Sequence, residues 1–189
     1  RKDHNTMDYM QRAPFTGTTT KAGLAAGTTT TLTWANAVIG AIKGKAYAKA
    51  AASNQATPTT DANTGAAFLP VPAGVASVAN GQGGYTDGYG YGCVFIVGFN
   101  AAGNLKVAQG SIERTDSVAV AGSKFGVNGA PKFPALPDDF YPVGYIITRT
   151  DSSASAWTMG SSNLAGPPTG VVHTFVDTVG TLTDRPQVS

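Results

Sequence analysis

The chain has 189 residues, 42% of them hydrophobic, which suits one domain with a buried core, or one domain with an arm. Only 13% are charged, about half the usual share of a soluble globular chain, and Thr, Ala, Gly and Val fill the gap. The net charge of +2 comes from scattered residues, which argues against a nucleic-acid partner, and no apolar run approaches the ~20 residues of a membrane span, which argues against a membrane.

Low charge with abundant Thr, Val and Gly suits β-structure with a small polar outer surface. It also suits a protein largely covered by other subunits. No signal peptide is visible, and the chain starts at Arg1 without a Met, as a processed or fragmentary product would. The single cysteine, Cys93, gives no internal disulfide and no zinc cluster. Within "GCVFIVGF" it reads as a small buried apolar residue rather than a nucleophile.

Residues 1–31 mix charges, Thr, Gly and one Pro without sustained periodicity, so an isolated chain of this kind would not order itself. Two readings stay open: a disordered tail, or an N-terminal arm that orders on a neighbour. Apolar anchors for an arm are Met7, Tyr9, Met10, Phe15 and Leu24. Residues 32–180 then read as a β-domain and 181–189 as a C-terminal tail.

In "LTWANAVIGAIKGKAYAKAAAS", Trp34, Val38 and Ile42 have helical i, i+4 spacing. Gly40 and Gly44 are poor helix-interior residues, however, and "AIKGKAY" predicts two strands around a Lys43–Gly44 turn. Residues 53–65 are a polar loop, and "AAFLPVPAG" is extended, with prolines that suit an edge or a strand end. "NGQGGYTDGYGYG" is a glycine–tyrosine loop. "CVFIVGF", "NAAGN" and "LKVAQGSIE" predict a strand, a turn and an alternating strand, hence a hairpin. A long connection follows, with a short strand expected at Val118–Val120. "YPVGYIITRT" is the next strand, "SAWTMGSSNLAGPPTG" holds a short strand and a Gly/Pro loop, and "VVHTFVDTV" is the last strand. Strands at short intervals with turn signals predict an all-β fold, an antiparallel sandwich or barrel with long loops.

The candidates for chemistry weaken one by one. Asp138 and Asp139 in "LPDDFYP" are neighbours in an extended segment, where side chains point to opposite sides and do not converge on one substrate atom. They fit a turn into a strand instead. His4 lies in the arm. His173 shares a strand face with Val171, Phe175 and Asp177, but it stands about 13 Å from Asp177, too far for a dyad. It reads as structural or as a subunit contact, and nothing local supplies the further ligands of a metal site. No G-x-S-x-G argues for a serine hydrolase. "GGYTDGYGYG" precedes a strand and lacks a Lys-Ser/Thr, so it does not fit a phosphate loop. Its alternation of Gly with Tyr85, Tyr89 and Tyr91 fits a contact loop, or a loop whose tyrosines pack on their own sheet. No catalytic residue, cofactor or metal is expected, and the protein reads as a non-enzyme. Its candidate interaction residues are Tyr9, Phe15, Tyr85, Tyr89 and Tyr91.

Several segments resemble virion structural proteins of tailed bacteriophages: "ATPTTDANTGAAF" (56–68), "GCVFIVGFNAAGNLKVAQG" (92–110), "FPALPDDFYPVGYIITR" (133–149), "SAWTMGSSNLAG" (155–166) and "TLTDRPQVS" (181–189). The resemblance covers much of residues 34–189 and leaves out the arm. It implies a virion-located, non-enzymatic particle component, best a capsid decoration (cement) protein. Such proteins are small, β-rich and often trimeric, so the partners expected are the major capsid protein or another virion protein and copies of the chain itself, a homotrimer. A tail, baseplate or head-fibre subunit matches the same layout. A carbohydrate-binding adhesin module, stacking sugars on Tyr85, Tyr89, Tyr91 and Trp157, and a strand-donating surface filament are readings of a different class.

Overall fold

The structure is a computed structural model that describes residues 15–79, 82, 85–86, 88–115 and 131–182. Twelve strands and no helix occur among these residues, and every strand pairing is antiparallel. The expected all-β class therefore holds, as a sandwich-like arrangement of open sheets rather than a closed barrel. The strand expected at Val118–Val120 lies outside the described residues.

The centre of the molecule is one long hairpin and the strand beside it. β9 (Tyr91–Phe99) and β10 (Leu105–Arg114) are joined by the predicted turn, in which the Asn100 side chain accepts from the Asn104 N–H at 2.9 Å. β11 (Tyr141–Thr150) pairs with the other side of β9, and β12 (Val171–Asp177) closes the order β10-β9-β11-β12. β9 and β11 are buried on both faces, which is why "CVFIVGF" and "YPVGYIITRT" read as nearly continuous apolar runs. Pro142, which cannot donate to a ladder, sits at the start of β11 beside a bulge that leaves Val143 between the Gly98 and Val97 partners.

One face of this sheet carries Cys93, Phe95, Val97 and Phe99 from β9 and Val107 from β10 into the main core. Two N-terminal sheets cover it. β2 (Leu24–Ala26), β3 (Thr31–Trp34) and β6 (Ala52–Ala56) form the order β2-β3-β6. β1 (Gly17–Thr18), β4 (Val38–Ile42) and β5 (Lys45–Lys49) form β1-β4-β5. Trp34 of β3 meets Phe99 edge-on at 4.9 Å between ring centres, and its indole N–H donates to the Ala50 carbonyl at 2.7 Å. Each fully buried Leu, Ile, Val or Phe here contributes roughly 1.5–3 kcal/mol. The opposite face of the sheet forms a smaller cluster of Val94, Tyr145 and Ile147, covered by Phe133 and Leu182. A two-stranded ribbon of β7 (Val78–Ala79) and β8 (Tyr85–Thr86) completes the fold.

The β4–β5 hairpin is the one predicted around Lys43–Gly44. Both turn residues have positive φ, 49° and 82°, the geometry that a two-residue hairpin turn demands. Gly40 has another reason to be glycine: a Cβ there would lie 2.2 Å from Cδ2 of Tyr141, a fully buried ring.

The expected domain boundaries move. Residues 15–31 were grouped with the arm, yet they belong to the β-domain. β1 pairs with β4, β2 pairs with β3, and Leu24 and Ala22 are core residues. The Leu24 N–H donates to Asp177 Oδ1 at 2.8 Å, a contact that spans almost the whole chain. Thr18 and Gly180 exchange both backbone hydrogen bonds, at 3.2 and 2.6 Å. At the other end Leu182, expected in a tail, packs on the Tyr145 cluster. Only residues 1–14 and 183–189 at the termini lie outside the described residues. Residues 155–159, where a short strand was expected, supply a single bridge, Trp157 to Val71, because the prolines on both sides of Val71 prevent a longer ladder.

His173 is half-buried at the edge of this core. Its ring packs on Trp157 at 4.7 Å, its Nδ1 shares a 3.0 Å hydrogen bond with the Thr148 hydroxyl, and its buried Nε2 faces the Asn163 backbone without a hydrogen bond of good geometry. Burial holds its pKa down at about 4, against the Asn163 backbone, which pulls upward.

Two expectations follow from this packing. Gly40→Ala should cost roughly 1–3 kcal/mol through the collision with Tyr141, read as a lowered denaturant midpoint at unchanged m-value; a neutral result would show that the ring moves aside. For His173, the native state resists the proton that the unfolded chain accepts near pH 6.5. Its contribution is therefore complete above that pH and is lost as pH falls through about 4, by a total on the order of 3 kcal/mol. Unfolding curves from pH 7.5 to pH 4 should show a shallower loss for His173→Phe than for the parent chain, and equal slopes would refute the assignment.

Candidate interaction surfaces

The five residues singled out in the sequence do not converge. Tyr9 lies outside the described residues. Tyr85 is placed by its backbone in the β7–β8 ribbon, opposite Ala79, and its side chain lies outside what is described. Tyr89 and Tyr91 lie at the start of β9, whereas Phe15 lies against the β4–β5 turn, in the sheet that packs over Tyr141 at the far end of β11. Tyr91 and the Phe99 end are about 26 Å apart along β9.

Tyr89 is held by its backbone. It exchanges hydrogen bonds with Val75 at 2.7 and 2.9 Å, and the next residue, Gly90, accepts from the Thr115 N–H at 3.0 Å. Tyr91 pairs with Arg114 across β9–β10 and packs against the main core. The two rings meet edge-on at 5.6 Å, and the Arg114 guanidinium lies 4.0 Å above the Tyr89 ring. The hydrogen bond to Tyr91, and after it burial, raise the Tyr89 hydroxyl above the usual tyrosine pKa, while the Arg114 charge works the other way. These two tyrosines are thus partly buried and pack on each other, and Arg114 occupies one face of Tyr89. Trp157, named as a sugar-stacking residue, is corrected outright. It is fully buried between Phe95 and His173, and its indole N–H donates to the Asn163 carbonyl at 3.0 Å.

A cleft of about 290 Å³ lies where the 58–69 loop crosses β10, lined by Asp61, Thr64, Ala66, Ala67, Leu69 and Gln109 with Gly110. In the sequence residues 53–65 read as a polar loop and "AAFLPVPAG" as an extended segment, with no site in either. The spacing of Asp61 and Thr64 was the available signal, since an Asp side chain caps backbone N–H groups two or three residues on. Asp61 Oδ2 accepts from the Thr64 N–H at 3.0 Å and from its hydroxyl at 2.9 Å, and Oδ1 accepts from the Gln109 N–H at 2.9 Å. The Gln109 amide pairs with both backbone groups of Leu69, at 2.8 Å each, and so acts as a short piece of strand. The polar atoms of the cleft are turned on one another, and what faces outward is mostly methyl groups. This arrangement closes a loop over a sheet; it presents no general acid, base or nucleophile to a ligand.

The remaining chemical candidates occupy structural places. Asp139 Oδ1 accepts from the Ala101 N–H at 2.9 Å, so its side chain caps the β9–β10 turn rather than a turn of its own segment. Asp138 meets Lys43 at 3.6 Å, with both side chains largely in solvent, so the pair adds little. Cys93 is fully buried, and burial pushes its thiol up to about 12. Among the described residues no group of three His, Cys, Asp or Glu side chains is placed to hold a metal ion.

The third surface is the outward face of the β1-β4-β5 sheet. Val38, Gly40 and Ile42 point into the core, so Ile39 and Ala41 point out, beside Ala46 and Ala48 of β5. Ile39 is 48% exposed and Phe15 37% exposed, and the patch carries no charged side chain from β4 or β5. The lysines of β5 lie on its other face: Lys45 sits over the Tyr47 ring, while Lys49 sits over Phe99 and donates to the Gly103 carbonyl at 2.8 Å.

No protein-family model, curated protein or solved structure matches this chain.

Proposed function

We propose that this protein is a non-enzymatic structural component of a tailed-phage particle, a capsid decoration (cement) protein located in the virion. The segments quoted above suggest the class, and the observation that carries the role is the uncharged outward face of β1-β4-β5 beside the point where residues 1–14 join the domain. An apolar sheet face continuous with a terminal segment gains free energy when another surface covers it. In a shell, that gain repeats at every copy and adds up to mechanical reinforcement. The partners are copies of this chain, as a homotrimer, and the major capsid protein or a neighbouring virion protein. No nucleic acid, membrane or cofactor takes part.

A tail, baseplate or head-fibre subunit would use the same surface against a different neighbour. The adhesin alternative has less to draw on, because Trp157 is buried and Arg114 covers one face of Tyr89.

The test uses phage particles grown without the protein. Added purified protein should co-sediment with such shells at many copies each and raise the temperature at which they release DNA. The informative truncation removes residues 1–14; a cut at residue 27 would also remove β1 and β2 and destabilise the domain. Truncated protein should stay folded and lose at least tenfold in shell affinity. Full affinity without residues 1–14 would exclude their role, and attachment confined to tails would replace the decoration reading with the tail reading.

A further inference from the structure

Among the described residues the β5 strand has a neighbour on one side only, β4. The direction of its free hydrogen-bonding groups can be derived. The Ile39 carbonyl accepts from the Thr19 N–H at 2.8 Å on the β1 side. In an antiparallel ladder a residue's N–H and C=O point to the same side, so Ile39 does not bond to its partner Ala48, and Ala48 turns its own N–H and C=O to the open edge. Ala46, two residues before, does the same. The methyl groups of both lie on the outward face beside Ile39. Lys45 and Lys49, the kind of side chain that commonly blunts an exposed edge, lie on the inner face over Tyr47 and Phe99. The result is an open, small-residue strand edge bordering an apolar face.

We infer that the β5 edge of one copy takes residues 1–14 of a second copy as a fourth strand of the β1-β4-β5 sheet. The sequence "TMDYM" (Thr6–Met10) has the pattern such a strand needs. Met7 and Tyr9, two apart, would cover Ile39, Ala46 and Ala48, and Asp8 between them would emerge on the face of Lys45. The path of the chain favours a second copy. The Phe15 carbonyl accepts from the Gly44 N–H at 2.9 Å and the Thr16 hydroxyl from the Lys43 N–H at 3.0 Å, so the chain joins the domain at the tip of the β4–β5 hairpin. Pro14 biases Ala13 to an extended conformation, and the chain enters beside β1, on the side of β4 away from β5, so pairing within one copy would need the segment to turn back around the hairpin tip. Fourteen extended residues reach up to about 46 Å, enough to arrive at a neighbour. Donor segment and acceptor edge are different surfaces, so the contact is heterologous, giving a ring where the rotation closes and a filament where it does not. The inference concerns copies of this chain alone and stands whether or not the particle is a phage.

The experiment is done in solution with the complete chain and no shells. Light scattering should give a multiple of the 19.2 kDa chain mass. Removing residues 1–14 should reduce it to a monomer that still unfolds cooperatively, with a midpoint that no longer depends on protein concentration. Ala48→Pro deletes an edge N–H that β4 does not use, and should weaken association at least tenfold while the domain stays folded. Oxidation of a variant carrying Ala48→Cys together with Tyr9→Cys, or with Met7→Cys for the adjacent register, should link separate chains; Cys93 is buried and stays out of the reaction. Links confined to single chains would show that the segment folds back and would overturn the inference. So would a monomeric parent, or an oligomer whose mass is unchanged by both the truncation and Ala48→Pro.

Discussion

The structure depends on β9 and β11 being covered on both faces. A central pair of strands that is apolar on each side gains from burial only if two layers are built over it. The chain supplies them unequally. The main-core side receives two three-stranded sheets from residues 17–56, anchored by Trp34, Val38 and Ile42. Among the described residues the other side receives Phe133, from an extended proline-rich segment, and Leu182 near the C-terminus, with Val176 of the sheet itself beside them. Both ends of the described chain are drawn into this task, which explains why Thr18 and Gly180 meet and why Asp177 caps Leu24.

The polar residues serve the same end. With few charges available, this chain uses Asp61, Gln109, Asp139, Asn54 and Asp177 to satisfy backbone N–H groups where short strands run out. A buried backbone donor left unpaired costs about 1–3 kcal/mol, which bears on the part-buried N–H groups of Leu24 and Gln109; the other three bonds are exposed and serve to fix the loops. That accounts for side chains that look like chemistry and are not. The carboxylates and the Gln109 amide are already engaged inside the fold, and His173 is kept neutral by burial.

What could be read in the sequence was local. The β4–β5 hairpin follows from a Lys-Gly turn whose geometry excludes a helix, and β9–β10 follows from an apolar run, an Asn/Gly turn and an alternating strand. The role of Cys93 as a buried apolar residue needed only its neighbours, whereas the backbone group that Asp139 caps, Ala101, is 38 positions away. Misreadings arose where the partner is remote. Leu24 looked like an arm anchor because the residue that fixes it, Asp177, is 153 positions away. Trp157 looked like a platform because Phe95 and His173, which bury it, come from two other strands. The Asp61 cleft was invisible because Gln109 imitates a strand with its side chain, and no periodicity announces that.

The surface follows from the same economy of charge. An isolated β-protein defends its edges with lysines, bulges or prolines, because an open edge pairs with whatever strand it meets. In β5 the two lysines are committed to the inner face, where one stacks on Tyr47 and the other holds the Gly103 carbonyl beside Phe99. They stabilise the hairpin on the sheet beneath and leave its edge and outer face to alanines. A chain living alone would pay for this arrangement in aggregation. A chain that always meets copies of itself gains a preformed, low-entropy acceptor, and the low charge of the whole sequence ceases to be a liability once its neighbours supply the rest of the surface.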